Sequence, residues 1–141
     1  MITISEISAS EDLLNTCLRE RYDQGSNPRT QTFVVLRDCV EIGLLIYENW
    51  GPPEGFIYEI FVLREDRRDG VGAWVLGEAE RLAIDLGCTS IKLAAKSLDR
   101  DQYTDETLIR WYERKGYVRC DPGGSNLRKR LCTLFDGAAE G

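Results

Sequence analysis

Gly70 and Gly72 stand where a run of strand-forming residues gives way to an amphipathic helix, in the segment IFVLREDRRDGVGAWVL. Successive amides at such a turn point outward, and the helix N-terminus adds about half a positive charge, so the unit suits a phosphate or pyrophosphate. Glycine lets the phosphate approach the backbone closely. The P-loop pattern G-x-x-x-x-G-K-[ST] is absent, and only two of the three glycines of a dinucleotide fingerprint are present, so neither motif is specified. A plain tight turn is the alternative reading. The chain contains no histidine. Ser-His-Asp and Cys-His catalysis, imidazole metal ligation and histidine pH switching are therefore excluded, and proton transfer falls to a carboxylate, Tyr, Lys, a thiol or water. The five cysteines, at 17, 39, 88, 120 and 132, are widely spaced and form no C-x-x-C pair. They read as reduced thiols buried as small hydrophobes, with no zinc site and no disulfide framework.

The elements that must position this turn follow from hydrophobic periodicity. MITISEI alternates as a first strand, and Ser8 to Glu11 reads as a capping box before a helix with Leu13, Leu14, Cys17, Leu18 and Tyr22 on one face. Thr32 to Arg37 and Val40 to Glu48 read as a hairpin around Asp38-Cys39, and NWGPPEG, Asn49 to Gly55, as a turn. Phe56 to Leu63 (FIYEIFVL) is the most apolar segment and is expected to be a central strand. From Val71 the apolar residues Val75, Leu76, Ala79, Leu82, Ala83 and Leu86 fall on one helical stripe that Gly87 ends. Ser90 to Ala95 is a further strand, and Thr104 or Asp105 is placed to cap a helix running to Lys115. Tyr117 to Cys120 and Leu127 to Leu134 complete the strands. The pattern predicts one mixed sheet flanked by helices, a single domain over residues 1–135, and a flexible tail over 136–141.

The 141 residues, 43% hydrophobic and 30% charged, fit one globular domain. With 18 Lys+Arg against 24 Asp+Glu the net charge is −6, which disfavours nucleic acid and anionic membrane as partners. No apolar run comes near the roughly 20 residues that a membrane-spanning helix needs, and the N-terminal residues resemble no leader peptide, so a cytoplasmic location is expected. Association as a homodimer is left open.

Arg67-Arg68-Asp69-Gly70-Val71-Gly72-Ala73 resembles the R/Q-x-x-G-x-G/A motif of the GNAT superfamily of acyl-CoA N-acyltransferases, placed after a strand ending in Val62. Leu108-Ile109-Arg110-Trp111-Tyr112-Glu113-Arg114-Lys115-Gly116-Tyr117 is similar to that family's second signature, a helix closing in Y-E-x-x-G-F/Y. Ile42-Gly43 stands at the family's usual V-G position. The resemblance implies an α/β single-domain GNAT-type fold with a mixed, mostly antiparallel sheet of about seven strands, splayed at its central strands. It implies transfer of an acetyl group from acetyl-CoA to a primary amine by direct attack, with no metal. The pantetheine of the cofactor would bond the backbone of Ile60, Phe61 and Val62. The amides of Arg68, Asp69, Gly70, Val71, Gly72 and Ala73 would hold its pyrophosphate beside Arg67. Asp105 stands where the family often has Asn near the cofactor, and helix capping is its other reading.

In the same resemblance Tyr112 matches the acid that protonates the leaving thiolate. Glu59 is the candidate base, with Tyr58 and Glu48 as rivals. Glu41, Glu48, Glu54, Glu59, Asp99 and Asp101 fall in segments expected near the acceptor, which points to a cationic amine. The segment KSLDRDQYT is expected to lie beside that site. A non-catalytic acyl-CoA-binding or regulatory module is the alternative function.

Overall fold

The apolar segments pair into one seven-stranded sheet of order β1-β2-β3-β4-β5-β7-β6. The computed structural model describes residues 1–67, 70–97 and 104–131. Strand β1 is Ile2–Ile7, β2 Thr30–Arg37, β3 Val40–Glu48, β4 Glu54–Val62, β5 Ser90–Ala94, β6 Val118–Arg119 and β7 Asn126–Arg130. Helix α1 is Thr16–Gly25, α2 Val71–Asp85 and α3 Asp105–Arg114. Only β4 and β5 run parallel, joined through α2, and every other neighbour is antiparallel. The expected fold class holds, including the splay.

That splay has two visible causes. β4 pairs with β5 only from Glu54 to Ile57, while its remaining residues pair with β3 alone. The β3–β4 register also slips between Ile46 and Tyr47: Ile46 faces Glu59 and Tyr47 faces Ile57, which leaves Tyr58 as the extra residue of a bulge. The bulge bends β4 away from β5 and changes which face its later side chains take.

Apolar residues cover both faces of the sheet. Tyr47, Ile57 and Val62 join Val71, Val75, Ala79 and Ala83 of α2 in the larger core. Phe61, Val34 and Leu44 join Leu13 and Leu18 on the α1 side. At the crossing of β3 and β4, a Cβ on Gly43 would lie 2.5 Å from the Phe61 carbonyl oxygen, so glycine is what lets these strands approach.

Several local expectations need correction. Ser8–Glu11 does not cap α1: Ser10–Asp12 forms a 3₁₀ turn, and the Asp12 carboxylate accepts the amides of Ser8 and Ala9 at 3.1 and 3.2 Å. The true cap is Asn15, which accepts the Leu18 amide at 3.1 Å. Leu13 is thereby buried in extended backbone while Leu14 faces solvent. β4 begins at Glu54, inside the segment read as a turn, because Glu54 and Gly55 still pair with Ser90 and Ile91. Among the described cysteines only Cys88 is buried, whereas Cys17, Cys39 and Cys120 are exposed. Cys39 shows why: it sits with Asp38 in the two-residue hairpin turn, both at positive φ, on the surface. Cys132, the tail at 136–141, and Asp99 and Asp101 with most of the KSLDRDQYT segment lie outside the described residues.

Candidate active site

β4 lines two grooves that share Ile60, Val62, Arg67, Leu108 and Tyr112. The first is a cleft of about 490 Å³ that opens where β4 and β5 diverge, between Ile57 to Val62 on one side and Leu93, Ala94 and Lys96 on the other. The second, about 330 Å³, runs from Ile60 and Val62 past Gly70, Gly72 and Ala73 to the face of α3 that carries Thr107, Leu108 and Trp111.

The turn before α2 forms because Gly70 takes the left-handed conformation, at φ 72°, which lets the chain leave a 3₁₀ turn at Arg64–Asp66 and enter the helix without a Cβ clash. A side chain at Gly72 would meet nothing nearer than the Trp111 ring at 3.8 Å, so the space above the turn is open to a ligand. Gly70, Gly72 and Ala73 line the groove as the motif requires, and Val71 is buried beneath. Arg68 and Asp69 lie outside the described residues. Arg67 lines both grooves, and its Nε donates to the Val62 carbonyl at 2.7 Å.

Tyr112 sits at the junction of the two grooves. α3 places it there because Thr104 caps the helix, accepting the Thr107 amide at 3.2 Å, and the capped helix turns Leu108, Trp111 and Tyr112 towards β4. Its ring is held edge-to-face by Trp111 at 4.9 Å and Tyr117 at 5.6 Å. Tyr117 is itself anchored, donating to Glu80 Oε2 at 2.8 Å, with Lys129 at 3.2 Å from the same carboxylate. Burial, reinforced by the Glu80 charge, pushes the Tyr117 phenol well above its ordinary pKa. Thr104 thus takes the cap, which Asp105 does not. The Asp105 carboxylate instead accepts the Ser97 amide at 2.7 Å, and Asp105 does not line either groove.

Glu59 lines the first cleft and is buried. Opposite Ile46 in register, it takes the α1 side of the sheet, where Arg21 reaches it with Nε and Nη2 at 2.9 Å from the two carboxylate oxygens. The bonds to Glu59 raise the Arg21 pKa against the opposing effect of partial desolvation. Arg21 also lies 5.7 Å from the centre of the Phe61 ring. Arg21 belongs to none of the sequence motifs. Its signal was a cation at the i+3 position from Leu18 and four before Gly25, on the inward face of α1, where burial demands a carboxylate partner.

The rival carboxylate Glu48 and the half-exposed Tyr58 also line the cleft. Two other acidic residues are engaged elsewhere. Glu41 accepts the Leu14 and Asn15 amides at the start of α1, and Glu54 pairs with Arg128 at 2.6 Å. Among the described residues no group of three or more Cys, Asp and Glu is arranged to hold a metal ion, and no helix is long and apolar enough to cross a membrane.

Residues 2–117 match the model of the acetyltransferase (GNAT) family. No curated protein sequence matches the chain. Among solved structures, a GNAT family acetyltransferase from Elizabethkingia anophelis with acetyl-CoA bound superposes with a TM-score of 0.64 at 16% identity, over 92% of this chain and 98% of that one. The PaiA N-acetyltransferase of Thermoplasma acidophilum, in complex with coenzyme A, gives 0.65 at 14% identity, over 93% and 99% of the two chains. Ard1 from Thermoplasma volcanium gives 0.59 at 17% identity, over 93% and 98%. These similarities concern the fold. The family model reaches further, because it matches the sequence itself from β1 to the end of the α3 signature, and on that ground the chain belongs to the acetyltransferase (GNAT) family.

Proposed function

We propose that this acyltransferase moves an acetyl group from acetyl-CoA to a primary amine by direct attack in the cleft between β4 and β5. The observation that carries the reading is the junction of the two grooves: Tyr112 stands where an open phosphate turn, an unpaired strand edge and a cleft containing Glu59 meet. Acetyl-CoA supplies the activated acyl carbon and a thiolate leaving group. The amides of Gly70, Gly72 and Ala73, with Arg67, fit its pyrophosphate, and the β4 edge from Tyr58 to Val62 fits an extended pantetheine arm.

Tyr112 donates the proton that the departing sulfur needs, since its phenol reaches both grooves from a ring fixed on two sides. Glu59 accepts a proton from the acceptor's ammonium, directly or through water, which frees the nitrogen lone pair for attack. Arg21 takes one lone pair from each of its oxygens, and the second pair on each is left for that role. A cationic acceptor is the proposed class, and it rests on Glu48 in the cleft: Glu59 is paired with Arg21, Glu41 and Glu54 bond groups elsewhere, and Asp99 and Asp101 lie outside the described residues.

Acetyl-CoA, an amine panel and a thiol reagent test the reading. Amine-dependent thiol release, fastest with cationic acceptors and slowed by salt, is expected. Coenzyme A binding without thiol release from acetyl-CoA in the presence of any amine would leave the non-catalytic acyl-CoA-binding module in its place. Fastest turnover of anionic amines would remove the cationic acceptor alone.

A further inference from the structure

The two grooves differ in charge. The first contains Glu48 and Glu59 beside its cations, whereas the second is lined, among the described residues, by Arg67, Arg114 and Lys115 and by no carboxylate. In a chain of net charge −6 this is a local reversal of sign. The cations of α3 come with an aromatic surface. Trp111 reaches from α3 to the phosphate turn, so that its six-membered ring would lie 3.8 Å from a Cβ on Gly72, and Lys115 Nζ stands 5.5 Å from the Trp111 ring centre. An indole against the turn, with Arg114 of the last helical turn and Lys115 at the C-cap beside it, is a stacking platform with phosphate partners attached.

We propose that Trp111, Arg114 and Lys115 form the subsite for the 3′-phosphoadenosine end of coenzyme A, the adenine stacking on Trp111 and the 3′-phosphate pairing with Arg114 and Lys115. The inference rests on the cofactor reading above and extends it. With pantetheine along β4 and pyrophosphate at Gly70 to Ala73, the next group of the molecule is the phosphorylated ribose and its base, and the groove continues to these three residues. The 3′-phosphate is what separates coenzyme A from its dephospho form, so these cations set a preference for the complete cofactor.

Calorimetry on the full chain with coenzyme A, dephospho-coenzyme A and 4′-phosphopantetheine tests this. Coenzyme A is expected to bind about tenfold or more tightly than the dephospho form. In the double variant Arg114→Met/Lys115→Met that preference should collapse, through loss of coenzyme A affinity with dephospho-coenzyme A unchanged. Trp111→Leu should weaken both adenine-bearing ligands by a similar factor, about tenfold, and spare 4′-phosphopantetheine. Equal affinity of wild type for coenzyme A and its dephospho form would overturn the subsite while leaving the cofactor reading intact, as would a double variant that keeps the preference. A folded wild type that binds none of the three ligands would overturn the cofactor reading itself.

Discussion

Both carboxylate oxygens of Glu59 are held by one guanidinium, that of Arg21, which bonds them through Nε and Nη2 at 2.9 Å each. The pair ties the middle of α1 to the bulged segment of β4, and it is more enclosed on the carboxylate side, where 7% of the side chain is exposed against 23% for Arg21. Removing the cation strands a buried charge, which costs more than losing the pair as a whole.

Arg21→Met is therefore expected to destabilise the fold by about 2 kcal/mol, below the range for fully buried pairs because Arg21 is partly exposed. The double variant Arg21→Met/Glu59→Gln should recover part of that loss. Denaturant titration of wild type, Arg21→Met, Glu59→Gln and the double variant checks this, and additive losses would show that the two groups are not coupled.

How much of this site was legible depended on whether its signal was local. The β4 to α2 unit was readable because an apolar run, two glycines and a helical stripe follow one another in sequence, and Tyr112 was readable from its signature on α3. The placement of Glu59 was not. Simple alternation from the buried Ile57 puts Glu59 on the same face as Ile57, and only the extra residue Tyr58, visible in the pairing with β3, turns it towards α1. Arg21 was hidden for a related reason: its partner lies 38 residues away across a loop and two strands. The start of α1 is not legible locally, because Ser8 to Glu11 imitates a cap while the chain uses Asn15 once Leu13 has been buried.

Gly43→Ala tests the close approach of β3 and β4. The added methyl would meet the Phe61 carbonyl at 2.5 Å and Val62 Cα at 3.3 Å, both backbone atoms that cannot rotate aside. A loss of about 2 kcal/mol is expected, with weaker coenzyme A binding because β4 is the strand that must shift. Thermal unfolding and calorimetry measure the two effects, and an unchanged Tm would contradict the packing at this crossing.

Gly72→Glu tests the phosphate turn. The side chain has room, so the domain should fold, yet its carboxylate would occupy the anion site and lower coenzyme A affinity by about a hundredfold or more. Calorimetry on the folded variant showing wild-type affinity would remove the turn from the cofactor site.

Alkaline pH offers a test of the buried phenols of Tyr47 and Tyr117. Burial raises the pKa of Tyr47, assisted by its hydrogen bond with Cys88, and burial together with Glu80 raises that of Tyr117. Above the ordinary phenol value of about 10 the unfolded chain loses protons that the folded chain keeps, so this contribution to stability is complete below about 10 and declines as pH rises further. The slope should reach at most about 1.4 kcal/mol per pH unit for each phenol, and Tyr117→Phe should reduce it. Denaturant midpoints between neutral and strongly alkaline pH measure the slope, and a variant with the wild-type slope would contradict the assignment to Tyr117.

The most direct test of the central claim, that the groove junction at Tyr112 performs acyl transfer to an amine, is the single-turnover rate of that transfer in wild type and Tyr112→Phe. The substitution removes one oxygen and leaves the ring between Trp111 and Tyr117, so coenzyme A affinity should change little. With Tyr112 as the acid, the rate should fall by about a hundredfold or more. Equal single-turnover rates for the two proteins would contradict it.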